Sequence, residues 1–252
     1  MLSAFVTALR TLTCFSVPGK DTETFSNSLF WFPVVGFLLG LLQAAIGYSS
    51  CFLKWNELSA ALVVFGGIAM TRGMHVDGLA DFGDGFWGGR TRDAVLKIMK
   101  DPNVGSFGAI AVSAAMLLKW IAVLKLIEYG AFMFIVAGVV LARLVQVFLA
   151  SAFSYARSEG GTARSFVSGA GWWHSIAASV LMLCILFPFF RQNLNALFVV
   201  VIAALAAALM IGLLSYRKIG GVTGDVIGAG SELTEVFVWI AGALFFVMKA
   251  KI

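Results

Sequence analysis

Apolar runs long enough, or nearly long enough, to cross a lipid bilayer recur along the chain at about 29–52, 57–73, 107–127, 131–150, 173–190, 194–214 and 233–250. The pattern predicts roughly seven membrane spans, of which the second and fifth are short. Ahead of them Leu2, Phe5, Val6, Leu9, Leu12 and Thr13 recur at helical spacing, which predicts an amphipathic helix lying along the membrane surface before Pro18. No internal repeat and no linker divides the chain. The expected fold class is therefore all-α, a polytopic integral membrane protein with about seven transmembrane helices plus an N-terminal interfacial helix, in a single membrane domain over 1–252. The longest polar insertions fall at about 74–106, 151–172 and 215–232.

Composition agrees with the pattern. The 252 residues are 60% hydrophobic and only 12% charged, with a mean hydropathy of +0.95, outside the range of soluble domains. A formal charge of +5 raises the question of nucleic acid. The Lys and Arg are scattered over short loops without a basic stripe or an aromatic platform, so no nucleic-acid partner is expected and the lipid bilayer is. Cys14, Cys51 and Cys184 are odd in number and far apart, which argues against a disulfide framework or a CxxC site. A charged segment ahead of the first apolar residues is lacking and Arg10 interrupts them, so no cleavable signal peptide is expected.

Assigning alternate loops to opposite sides puts eleven Lys and Arg on one side and five on the other. By the positive-inside rule the first side is cytoplasmic, with the N-terminus. All three polar insertions are then expected on the cytoplasmic face, where one active site can draw on all of them.

The stretch His75 to Gly89, HVDGLADFGDGFWGG, carries three carboxylates in a chain otherwise poor in charge. Asp77, Asp81 and Asp84 stand at i, i+4 and i+7, which places them on one helix face. Like charges so crowded are stable mainly with a cation between them, and an all-oxygen ligand set favours a hard ion such as Mg2+ shared with substrate phosphates. Five glycines in this stretch make one long regular helix unexpected and favour a helix end opening into a Gly-rich turn. His75, two residues before the first Asp, suits a general base, a phosphate ligand or a plain cap. His174, beside Trp172 and Trp173, fits an interfacial aromatic belt.

Gly220 to Glu235, GGVTGDVIGAGSELTE, sets Thr223, Asp225, Glu232 and Glu235 close to the membrane edge, where charge is costly unless paired or functional. No Gly-Lys-Ser/Thr follows, so it is not a phosphate-binding loop of the Walker type. Asp225 and Glu232 are candidates for added metal ligands or for holding a substrate hydroxyl. Arg90, Arg92, Lys97 and Lys100 suit either phosphate or topology, and Arg157 and Glu159 pose the same choice. Lys119 and Arg143 lie within apolar runs and are expected to face the protein interior or reach for an edge; Arg143 is the better candidate for an anionic ligand.

HVDGLADFGDG, Lys97 to Gly108 (KIMKDPNVGSFG), Tyr155 to Gly160 (YARSEG) and Gly220 to Ala229 together resemble the cobalamin synthase, or adenosylcobinamide-GDP ribazoletransferase, family. Arg10 to Pro18 and Phe30 to Gly40 also look like that family, so the resemblance runs nearly end to end. Lys100-Asp101-Pro102 departs from it, where Arg-Asp and a non-proline residue would be more typical. The resemblance implies the last assembly of the nucleotide loop of cobalamin. A hydroxyl of alpha-ribazole, or of its 5'-phosphate, attacks the cobinamide-side phosphorus of adenosylcobinamide-GDP, and GMP leaves. It further implies Mg2+ on Asp77, Asp81 and Asp84, and His75, Asp225 or Glu232 as proton acceptor. Arg90, Lys100, Arg143, Arg157 and Thr223 are the expected substrate contacts. It admits association with other enzymes of that pathway and a homo-oligomer, neither of which any residue specifies.

Two rival readings differ in class. CDP-alcohol phosphotransferases require Ala-Arg after the first aspartates, whereas here Ala80 is followed by Asp81. A cation transporter would place its site near the bilayer midplane between related halves. Here the carboxylates gather toward one face.

Overall fold

The computed structural model describes residues 1–158 and 160–249; Glu159 lies outside them. Among these residues the chain is helical, with one isolated backbone bridge between Tyr155 and Val222. The helices are α1 (Leu2–Leu12), α2 (Phe32–Ser50), α3 (Asn56–Met70), α4 (Met74–Gly88), α5 (Arg92–Ile98), α6 (Ser106–Glu128), α7 (Phe132–Ala152), α8 (Arg164–Ser168), α9 (Trp172–Phe190), α10 (Leu194–Ile219) and α11 (Gly224–Lys249). The chain is an all-α polytopic membrane protein. Six helical stretches are long and apolar enough to cross a membrane, and α3 with α4 makes a seventh crossing if the bent pair counts as one.

The bundle is organised around α7. Its most apolar window is 83% buried, against 28% for α9 and 33% for α10. α2 and α11 pack along α7, while α9 and α10 turn Phe187, Phe198 and Leu209 outward, where lipid covers them. The expected N-terminal helix forms as α1 and is pinned from its own C-terminal end: Arg10 Nη2 donates to Val17 O and Gly19 O, both at 2.8 Å.

Two stretches differ from the sequence-based expectation. The Asp- and Gly-rich stretch is a regular helix from His75 to Gly88, within α4, set at 90° to α3. The bend is made by Arg72 and Gly73, both left-handed, at φ 55° and 69°. Glycine lowers helix propensity in isolation, but α4 is wedged between α11, α6 and α5, and close approach decides. A Cβ on Gly78 would fall 2.9 Å from Asp225 O, and one on Gly83 would fall 2.9 Å from Ala111 Cβ. Likewise most of the 215–232 insertion is not a loop: α10 runs to Ile219 and the first turns of α11 begin at Gly224.

The interior carries charge. Lys119 of α6 lies 2.7 Å from Glu232 Oε2 and 2.6 Å from Glu235 Oε2 of α11, and its ammonium sits 5.3 Å from the Trp239 ring centroid. Arg143 of α7 donates to Ser231 Oγ and stands 3.8 Å from Glu235 Oε1. Two cations balance two carboxylates, which is how charge is kept inside an apolar bundle.

Candidate active site

At the end of the bundle where α6 and α11 begin, four carboxylates meet. Asp77, Asp81 and Asp84 come from α4, as the i, i+4, i+7 spacing requires, and Asp225 comes from the first turn of α11. The close packing at Gly78 brings Asp225 to them. Asp81 is half-buried and feels the charges of Asp225, Asp77, Arg157 and Asp84.

Asp225 is set by a chain of local contacts. The bridge pairs Ala156 N with Val222 O (2.8 Å) and Val222 N with Ser154 O (2.9 Å), so the segment after α7 runs beside the turn before α11. Arg157, the next residue, then reaches Asp225: its Nη2 donates to Oδ2 at 2.8 Å and to Met99 O at 3.3 Å. Thr223, fully buried, caps α11, its Oγ1 accepting from Val226 N and donating to Asp225 Oδ2, both at 3.3 Å. Burial pushes the Tyr155 hydroxyl above its usual range.

Two more cations fasten the frame. Arg92 donates from Nε to Ile219 O (2.9 Å) and from Nη2 to Ala156 O (2.6 Å). Lys218 donates to Phe86 O and to Gly89 O (3.0 Å), the carbonyls that end α4. Asp84 is similarly committed, accepting from Gly105 N (2.7 Å) and Gly108 N (2.8 Å) across the start of α6.

The remaining predicted site residues lie apart from the carboxylates or on their rim. His75 is 3% exposed and packs on α7, its Nδ1 3.4 Å from Gln146 Nε2. Glu232 lies seven residues along α11 from Asp225, about 10 Å deeper, within the Lys119 cluster, and Arg143 belongs to the same cluster. Neither reaches a surface cleft: the cavity they line is about 10 Å³, room for at most one water. Arg90 and Lys100 are exposed at the two ends of the α5 segment. Sequence reasoning placed Lys119 indoors or at an edge but missed its pairing with Glu232 and Glu235, and it missed the fastening roles of Arg92 and Lys218; no spacing rule links residues so far apart.

Two open clefts flank Arg157. One, of about 460 Å³, is lined by Ser151, Ser154, Tyr155, Arg164 and Ser168. The other, of about 330 Å³, lies between α5 and residues 156–158.

The donor set can be tested for a metal. Among the described residues no group of three His, Cys, Asp or Glu side chains is placed to hold an ion by itself. The chemistry of the donors nevertheless fits a hard divalent cation, because Mg2+ is commonly held by one or two carboxylates and completed by water and substrate phosphates. Asp77 and Asp81 have no hydrogen bond among the described residues that would compete, whereas Asp84 has two.

Comparison with known proteins gives a family. The family model for cobalamin-5-phosphate synthase matches residues 4–243. The chain is 69% identical over 254 residues to an adenosylcobinamide-GDP ribazoletransferase of Pelodictyon phaeoclathratiforme, covering 99% of this chain and 100% of the relative. It is 61% identical to that of Chlorobium chlorochromatii, over 97% of each chain. To that of Syntrophobacter fumaroxidans it is 34% identical, over 98% of this chain and 100% of the relative. No solved structure matches.

Proposed function

Because the chain belongs to the cobalamin-5-phosphate synthase family, we propose that it is an adenosylcobinamide-GDP ribazoletransferase working at the cytoplasmic face of a bacterial inner membrane. The observation that carries the reading is Arg157 held on Asp225 beside Asp77 and Asp81: one guanidinium among clustered carboxylates, at the end of a membrane bundle that also bears basic clefts. The substrates are adenosylcobinamide-GDP and alpha-ribazole or its 5'-phosphate.

A ribose hydroxyl of the acceptor forms a new P–O bond at the cobinamide-side phosphorus. The bond from that phosphorus to the bridging oxygen breaks, GMP leaves with that oxygen, and the hydroxyl proton passes to a carboxylate. Displacement at a diphosphate depends on positioning and charge neutralisation more than on covalent chemistry. Asp77 and Asp81 would hold Mg2+, which when bound offsets charge on the bridging and leaving oxygens. Arg157 stays on Asp225 and offsets phosphate charge beside it. The phosphate charge in turn counters the pull of Arg157 on Asp225, which makes Asp225 the better proton acceptor. His75 and Glu232 are too enclosed for that role, which favours Asp225 among the three candidates. The cytoplasmic placement rests on the excess of Lys and Arg in the loops of this face.

The test is GMP release by detergent-purified protein given adenosylcobinamide-GDP and alpha-ribazole or its 5'-phosphate, with and without Mg2+. Release that needs both substrates and the metal upholds the reading. Release of CMP from a CDP-activated substrate instead would move the chain to the rival phosphotransferases.

A further inference from the structure

The cleft between α5 and residues 156–158 is not accounted for by the carboxylate cluster. It is lined by Arg92, Lys97, Lys100 and Arg157, with Asp93 as its one acid among the described residues. Arg92 is spent on two carbonyls of the frame. Lys97 and Lys100 are exposed, one helical turn apart, and form no ion pair among the described residues. Arg157 both lines this cleft and holds Asp225. A cleft lined by an arginine and by two lysines that form no ion pair among the described residues calls for an oxygen-rich anion.

We propose that this cleft is a phosphomonoester subsite, in which Lys97, Lys100 and Arg157 hold a phosphate other than the one whose phosphorus is attacked. The inference rests on the transferase reading for the origin of that phosphate, which is either the GMP that leaves or the 5'-phosphate of the acceptor. Arg157 lines the cleft while its Nη2 stays on Asp225, so the two places share one residue. A volume of about 330 Å³ admits a nucleotide phosphate with part of its sugar, and leaves the corrin ring outside.

The experiment compares wild type with Lys97→Ala/Lys100→Ala in detergent. Equilibrium binding of inorganic phosphate and of GMP is measured without Mg2+, and turnover is followed with ribazole and with ribazole phosphate. Both side chains are exposed, so the variant is expected to fold, which its melting temperature checks. Phosphate binding is expected to weaken at least tenfold, because two charge-assisted contacts are lost and one alone accounts for about that factor. If GMP binding weakens in parallel, the cleft takes the leaving nucleotide. If the rise in KM is instead about tenfold larger for ribazole phosphate than for ribazole, it takes the acceptor. Equal binding of phosphate and GMP by wild type and variant, with no difference in KM, overturns the subsite. Absence of GMP release by wild type would count against the transferase reading alone, because the phosphate-binding comparison decides the subsite independently of turnover.

Discussion

Arg157 and Asp225 meet at 2.8 Å although 68 residues separate them, because the Tyr155–Val222 bridge lays the two segments side by side. Their side chains are only 13% and 22% exposed, so the pair is partly desolvated, and removing either partner costs more than breaking a surface ion pair. It joins the carboxylate cluster to the basic cleft.

Replacing Arg157 by Lys keeps the charge but removes the fork that serves Asp225, Met99 O and the cleft together. Turnover should fall about a hundredfold, the scale seen when one positioned donor is lost. Steady-state GMP release checks it, and a variant within threefold of wild type would remove Arg157 from the site.

Asp81 and Asp84, alike in sequence, should differ in what they do. Asp81→Asn should abolish Mg2+-dependent turnover and leave the melting temperature nearly unchanged. Asp84→Ala should lower stability by about 1–2 kcal/mol, because Gly105 N and Gly108 N lose their acceptor at the start of α6. Thermal unfolding in detergent together with the turnover assay separates them; identical behaviour of the two variants would refute the distinction.

Lys119→Met should destabilise the bundle by about 3–5 kcal/mol, since Glu232 and Glu235 would be left buried without their nearest cation. Adding Glu232→Gln should recover part of that loss. Unfolding of the single and double variants tests the coupling, and purely additive effects would argue against it.

Gly78→Ala should cost about 1–3 kcal/mol and also lower activity, because the new Cβ meets Asp225 O at 2.9 Å and Asp225 Cα at 3.0 Å, so backbone must yield. Gly130→Ala is the control: its φ of 64° is strained, but nothing lies within 4 Å of the added Cβ, so it should affect stability without touching turnover. Equal activity loss in both would mean that the α4–α11 contact does not position the site.

The helical class, the spans and the shared helix face of Asp77, Asp81 and Asp84 were legible because each depends on residues near one another in the chain. Hydrophobic runs and i, i+4 spacing are local periodicities, and bilayer and helix geometry translate them directly. The resemblance in the Asp-rich and Gly-Thr-Gly-Asp motifs led to the family that the full-length matches bear out.

Local preference misled where packing outweighed it. Glycine argued for a turn within residues 78–89, and polarity set 215–232 apart as an insertion, yet both regions are helical over most of their length, because missing Cβ atoms let helices touch. The sequence by itself determined which segments enter the membrane and which carboxylates share a face. Only the tertiary structure decided that Arg157 pairs with Asp225, that Glu232 and Arg143 join Lys119 in the interior, and that Asp84 binds the start of α6. Each of those pairings closes a loop of more than twenty residues, and which charges meet across such a distance is set by helix packing rather than by spacing along the chain.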